Sequence, residues 1–170
     1  MPNSTASPSY VDNGDGTVTD LTTCLMWEQK DGTVGGSSND SDPENVNNYY
    51  TWSASGTAAD GLVFTDFLPR VNGTLCSAGT CAGLGGHSDW RLPTIAELQT
   101  IIELSASGCG SGSPCIDTSF GPTQPLYYWS ASTPAGTPYD AWTVYFGYAY
   151  VVGTFTKTSN YNVRAVRSGL

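Results

Sequence analysis

Glycine and proline interrupt this chain so often that no long helix can be drawn through it. Its 170 residues hold 20 Gly and 10 Pro, and Ser, Thr and Asn fill much of the space between apolar runs. Glycine reaches positive φ without steric cost, proline fixes φ, and short polar side chains bond their own backbone, so each residue type starts or stops a turn. The fold must therefore come from short strands, brief helices and ordered loops. The length suits one domain with a real core. The expected organisation is a disordered or extended segment over 1–9 and a single domain over 10–170. No run of 18 apolar residues occurs, so no membrane insertion is expected. Residues 1–9 lack the basic and apolar regions of a signal peptide; if the protein is exported, its signal lies upstream or the route differs.

Tyr10-Val11-Asp12, the turn Asn13-Gly14-Asp15-Gly16 and Thr17-Val18-Thr19-Asp20 read as a hairpin, since Asn-Gly and Asp-Gly supply the positive φ of tight turns. The same acidic loop can be read as a structural calcium site, although the distal glutamate of an EF-hand is missing. No other cofactor is expected. Residues 31–51 read as a long polar surface loop ending at Tyr49-Tyr50-Thr51-Trp52. Phe64, Phe67, Leu68 and Val71 follow i, i+3, i+4, i+7 and predict a helix over roughly 60–72. Thr94-Ile95-Ala96-Glu97 is a capping box behind Pro93; Ile95, Leu98, Ile101 and Ile102 share the buried face, and Gly108 is the expected stop.

From Leu126 onward the runs are short, aromatic and β-branched, with Gly147 and Gly153 expected to punctuate hairpins. Trp142, Val144 and Phe146 should alternate inward, leaving Thr143 and Tyr145 outward. Hairpin, long loop, two helices and an antiparallel meander make an α+β domain. Trp27, Trp52, Trp90, Trp129 and Trp142 are expected to pack in its core.

Fifteen acidic residues face six Lys and Arg, a net charge of −9. Such a surface repels phosphates and anionic lipid over a Debye length, which argues against nucleic-acid binding and disfavours sulfated sugars. Cys76 and Cys81 bracket one short Gly-containing loop, Cys109 and Cys115 another. Two local disulfides and an oxidising compartment are the first reading; each would contribute on the order of 2 kcal/mol. The alternative is one four-cysteine zinc site, for which the gaps of four and five residues are wide. Cys24 lies in an apolar stretch and reads as a small buried hydrophobe.

His87-Ser88-Asp89 invites a catalytic reading, but adjacent residues point in different directions and His87 is the chain's one histidine. A structural turn, with Asp89 bonding backbone amides or Arg91, is expected instead, and no enzyme activity. Tyr139, Asp140, Tyr145, Tyr148, Tyr150, Asn160 and Tyr161 form the candidate ligand-binding set. Tyrosine beside Asn, Ser and Gly offers rigid contact area with adaptable hydrogen bonds, the chemistry of antibody-like contact surfaces. The plainer reading is that tyrosines decorate an exposed β surface.

Gly14-Asp15-Gly16-Thr17-Val18-Thr19-Asp20 with Leu25-Met26-Trp27 resembles the opening of the Lcl C-terminal domain family, named after the Legionella collagen-like adhesin. Gly85 through Leu98 (Gly-Gly-His-Ser-Asp-Trp-Arg-Leu-Pro-Thr-Ile-Ala-Glu-Leu) is similar to the family's most distinctive motif. Tyr128-Trp129-Ser130-Ala131-Ser132-Thr133, Ala141-Trp142 and Val163-Arg164-Ala165-Val166-Arg167 follow in order. The resemblance spans about residues 10–169. It implies a C-type-lectin-like fold, with two helices packed on short antiparallel sheets and long ordered loops. It also implies an adhesin-type or receptor-type domain at a cell or virion surface or outside the cell, contacting a protein or glycan through loops and late strands.

A homotrimer, or diversification of the C-terminal strands by a retroelement, would fit that picture; a structural subunit of a surface appendage is the alternative, and an enzyme related to formylglycine-generating enzymes a weaker one. Two departures stand out. Cys24 occupies a position where the family usually has Gly, and the sugar-and-calcium motifs of true C-type lectins are missing, Gln124-Pro125 being followed by Leu126.

Overall fold

The computed structural model describes residues 9–76, 79 and 81–169. All but Ser9 of the expected N-terminal segment, 1–9, lies outside them.

The opening hairpin forms as expected. β1 (Tyr10–Asp12) and β2 (Thr17–Asp20) pair antiparallel, and Gly14 and Gly16 take φ of 75° and 84°. The acidic side chains close this turn. Asp12 Oδ1 accepts from Gly14 N at 2.8 Å, and Asp15 Oδ1 accepts from Thr17 Oγ1 at 2.6 Å. β3 (Leu25–Glu28) lies beside β2, and the last strand, β9 (Val166–Ser168), lies beside β3, so the two ends of the domain share one sheet of order β1-β2-β3-β9.

Two smaller sheets complete the fold. β4 (Tyr50–Thr51) pairs with β8 (Asn160–Tyr161), and β5 (Tyr127–Trp129), β6 (Asp140–Tyr145) and β7 (Tyr150–Thr156) form an antiparallel meander. Small antiparallel sheets with few helices make this an α+β fold.

Both helices are shorter than their sequence patterns. The first is a π-helical turn, Val63–Phe67, running into one α-turn, α1 (Leu68–Val71). Pro69 has no N–H to give to Thr65, so the α ladder cannot pass through it. The changed winding buries Val63, Phe67 and Val71 and leaves Phe64 and Leu68 half-buried. The second, α2 (Ile95–Thr100), carries the predicted capping box: Thr94 Oγ1 accepts from Glu97 N, and Glu97 accepts from Thr94 N at 2.8 Å. It ends at Thr100, eight residues before Gly108, which is therefore not its stop.

The 31–51 segment is not simply a surface loop. Val46, Asn47 and Asn48 are buried, and the side-chain amides of the two asparagines satisfy polar groups that no strand ladder reaches. Asn48 Nδ2 donates to Asn39 O and Asp42 O, and Asn47 Oδ1 accepts from Gly35 N and Gln124 Nε2.

Two apolar clusters fill the interior. One gathers Trp52, Phe67, Trp90, Leu92 and Trp129, the other Val18, Trp27, Leu98, Phe120, Tyr128 and Val144. The central meander strand, β6, contributes Ala141 to the first and Val144 to the second, and its burial on both faces breaks the predicted alternation. Thr143 is fully buried, its Oγ1 donating to Val152 O at 3.2 Å, whereas Trp142 is only half-buried. Ala141 pairs with Phe155 and Thr143 with Val152, so β7 carries an extra residue. Gly153 sits in this bulge, inside β7 rather than at a hairpin, and a Cβ there would run into the Trp142 ring.

Candidate functional site

Strand register assembles an aromatic surface that the linear sequence does not display. Tyr127 on β5 pairs with Tyr145 on β6, which pairs with Tyr150 on β7. One side chain from each strand thus stands in a single row across the sheet. The ring centroids are 4.6 Å apart for Tyr127–Tyr145 and 5.2 Å for Tyr145–Tyr150. Tyr148, in the β6–β7 turn, stacks on Tyr145 at 5.7 Å. Phe155 and Tyr161 extend the row to Trp129 in the core, through contacts of 4.6 Å (Tyr127–Phe155), 4.8 Å (Phe155–Tyr161) and 4.9 Å (Trp129–Tyr161). Tilted and edge-on ring pairs at these separations add stability beyond area burial, so the surface is anchored rather than loose. The Tyr150 hydroxyl beside Tyr127 helps push its phenol up to about 12, and burial raises Tyr161.

The candidate residues divide by position. Tyr148 is 58% exposed, Tyr150 44% and Tyr139 52%; Asn160 is exposed, while Tyr145 and Tyr161 are half-buried. Tyr139 lies in the turn before β6 and makes no ring contact with the row. Asp140 is 7% exposed and is removed from the exposed set, because it heads β6 where the sheet enters the core. Tyr127 and Phe155 belong to the surface but not to the sequence-derived set. Tyr127 opens a run whose next two residues, Tyr128 and Trp129, are buried, and composition alone did not say which ring faces out.

All six cations are already engaged. Arg70 pairs with Asp66, Arg91 with Glu97 and Arg167 with Asp89. Lys30 is buried against Glu28. Lys157 donates to Pro138 O and sits 4.0 Å from the Trp52 ring centroid. Arg164, fully buried, donates to Glu28 O, Phe120 O and Thr123 Oγ1. Each is either paired with a carboxylate or buried.

Asp89 therefore bonds Arg167 rather than Arg91, through both oxygens at 2.6 and 3.3 Å, and this guanidinium lowers its pKa. Arg91 forms a bidentate pair with Glu97 and holds that carboxyl down to about 2.

Cys76–Cys81 and Cys109–Cys115 are disulfides, so their sulfurs do not form a zinc site. The second closes a loop that docks on the meander, with Cys115 N donating to Phe146 O at 2.8 Å and Gly110 N to Gly147 O at 3.2 Å. Cys24 is exposed rather than buried, at φ 57° in the turn between β2 and β3. Among the described residues, no group of three or more His, Cys, Asp or Glu gathers to hold a metal ion, and no helix is long and apolar enough to cross a membrane.

No curated protein and no solved structure matches the chain. The structural roles found for its motif residues agree with a different comparison. The glycine turn opens the first sheet, the Trp90–Glu97 segment carries the capped helix, and the Val163–Arg167 segment closes the core. Residues 16–167 match the Lcl C-terminal domain as one continuous unit, and on that match over nearly its whole length the chain belongs to the Lcl C-terminal domain family.

Proposed function

We propose that this domain is an adhesin-type binding module, displayed outside the cell or on a cell or virion surface, that recognises a protein or glycan with its tyrosine face. The observation that carries this reading is the Tyr127–Tyr145–Tyr150 row with Tyr148 stacked beside it. Large rings held by their neighbours lose little entropy when a ligand covers them, and tyrosine hydroxyls keep a polar handle at the contact. Two disulfides fit an oxidising compartment. The family relationship supports an adhesin-type role on a C-type-lectin-like scaffold, and the acidic balance, with every cation either ion-paired or buried, favours a neutral or cationic ligand over a sulfated one. The module acts by binding rather than catalysis. Diversification of this face by a retroelement is a finer reading, supported by the tyrosine and asparagine content of the last strands; it requires a template repeat and a reverse transcriptase beside the gene.

A glycan and protein-ligand array, read with and without chelator, tests the proposal through Tyr148→Ala and Tyr150→Ala. Both residues are exposed and can be truncated without opening the core. If they are central contacts, each should weaken binding by about 2 kcal/mol, roughly thirtyfold. An array ligand bound equally by wild type and both variants would remove the face from recognition.

A further inference from the structure

A groove of about 750 Å³ opens between the 31–49 loop and the 103–123 segment. No residue of the tyrosine face lines it, and the function proposed above does not use it. Its walls mix Val34, Pro114 and Ile116 with two carboxylates, Glu103 and Asp117, and no Lys, Arg or His lines it. The groove is held by covalent and backbone bonds rather than by side-chain chance. The Cys109–Cys115 disulfide closes one wall, and Glu103 N donates to Cys115 O at 2.9 Å.

The two carboxylates are fixed but only partly occupied. Glu103 Oε1 accepts from Ser105 N and Oγ at 2.8 and 2.6 Å, and Asp117 Oδ1 accepts from Ser119 N at 2.8 Å. The second oxygen of each has no hydrogen-bond partner among the described residues. Neither carboxylate has a salt-bridge partner, since all the chain's cations are committed elsewhere. The Ser105 hydrogen bonds keep the Glu103 carboxyl below its ordinary range, while the Asp117 charge pushes against it. An external cation would relieve that repulsion.

We propose that this groove binds a cationic, partly apolar peptide segment, with Lys or Arg side chains between Glu103 and Asp117 and apolar neighbours against Val34, Pro114 and Ile116. Its volume lies within the range of about 300–1,000 Å³ typical of ligand sites, far more than a single metal ion fills. Apolar walls with two fixed anions match an organic cation with a hydrocarbon stem, and the excess negative charge of the chain steers such a segment toward it.

The probe is an acetylated, amidated pentapeptide alternating Arg and Leu, titrated into the full ¹⁵N-labelled chain and followed by amide shifts. Its twin carries citrulline, uncharged, in place of Arg. Shifts should appear at Val34 and across 103–123, and the twin should bind roughly tenfold more weakly through the loss of two ionic contacts. Glu103→Gln and Asp117→Asn should each weaken the Arg peptide two- to fivefold. Because both residues also cap their own turns, Ser107→Lys is the independent variant: Ser107 is exposed and makes no hydrogen bond in the described structure, and the added ammonium should remove the preference for Arg over citrulline. Equal binding of the two peptides, or no binding, overturns the proposal. So do shifts confined to 127–161, which would place the contact on the tyrosine face, and the same groove shifts produced by calcium chloride alone.

Discussion

Replacing Glu28 by Gln should be among the most damaging single changes in this protein, although the two side chains are nearly the same size. Glu28 is fully buried on β3. Its Oε1 accepts from Lys30 Nζ at 2.6 Å and its Oε2 from Ala165 N at 2.8 Å, while its backbone oxygen accepts from Arg164. Lys30 and Arg164 are themselves buried, so one carboxylate stands against two cations in the interior. Burial pushes the Glu28 carboxyl up and the Lys30 and Arg164 groups down. The pairing opposes all three tendencies.

An amide offers one acceptor where the carboxylate offered two, so either Lys30 or Ala165 would face an NH₂ group. Both cations would lose their buried anion. Removing one partner of a buried pair costs about 3–5 kcal/mol, a large part of the 5–15 kcal/mol that holds a typical domain together. At about 2–4 °C per kcal/mol for a chain of this size, the melting temperature should fall by about 6–20 °C. Urea unfolding at neutral pH, with the slope checked for constancy, gives the free energy directly. The double change Glu28→Met with Lys30→Met should lose less than the sum of the two single changes, because the Lys30 ammonium is removed together with its carboxylate and only Arg164 is left without a buried anion. A loss below about 1 kcal/mol for Glu28→Gln would refute this account of the core.

Other perturbations carry distinct signs. The Glu97 carboxyl, held at about 2 by Arg91 against an ordinary 4.5, contributes stability that is present above pH 4.5 and lost as pH falls toward 2. Since the pair is partly exposed, Glu97→Gln should remove about 1 kcal/mol at neutral pH and flatten the acid limb of stability against pH; an unchanged acid limb would contradict it. Glu44 behaves in the opposite sense. Burial, reinforced by Glu28, raises it to about 7, so its contribution is full below pH 4.5 and falls as pH rises through 7. Glu44→Gln should lessen that neutral-range decline in the same unfolding series. Cys24→Gly should stabilise by about 0.5–1 kcal/mol, because a left-handed non-glycine residue costs about 1–2 kcal/mol and glycine's extra freedom offsets part of the gain. The change should also remove rapid native thiol labelling, leaving four cysteines that react only after reduction; a destabilised glycine variant would show that the Cys24 side chain has a role beyond its backbone strain.

Much of the local structure was legible because its causes are local. Thr94 and Glu97 cap α2 within four residues, Gly14 and Gly16 turn the first hairpin, and each disulfide closes a loop between cysteines five or six positions apart. The errors also have physical causes. Pro69 changed the winding of the first helix and with it the buried face. Burial of β6 on both sides defeated the alternation that placed Thr143 outward. Cys24 is apolar enough for a core, but its turn needs a positive φ, which agrees with the glycine usual at that position in the family.

The candidate surface was legible in kind but not in membership. Tyrosines late in the chain pointed to it, yet Asp140 turned inward and Tyr127 and Phe155 joined. The sequence by itself determined the short elements, their caps and turns, the acidic balance and the family. Only the tertiary structure decided which rings share a face and which charges share the interior. The reason is distance along the chain: Arg164 reaches Glu28 across 136 positions, and the tyrosine row exists only once three strands settle into one register. No local pattern encodes such partners, because each element is compatible with several registers until the others pack against it.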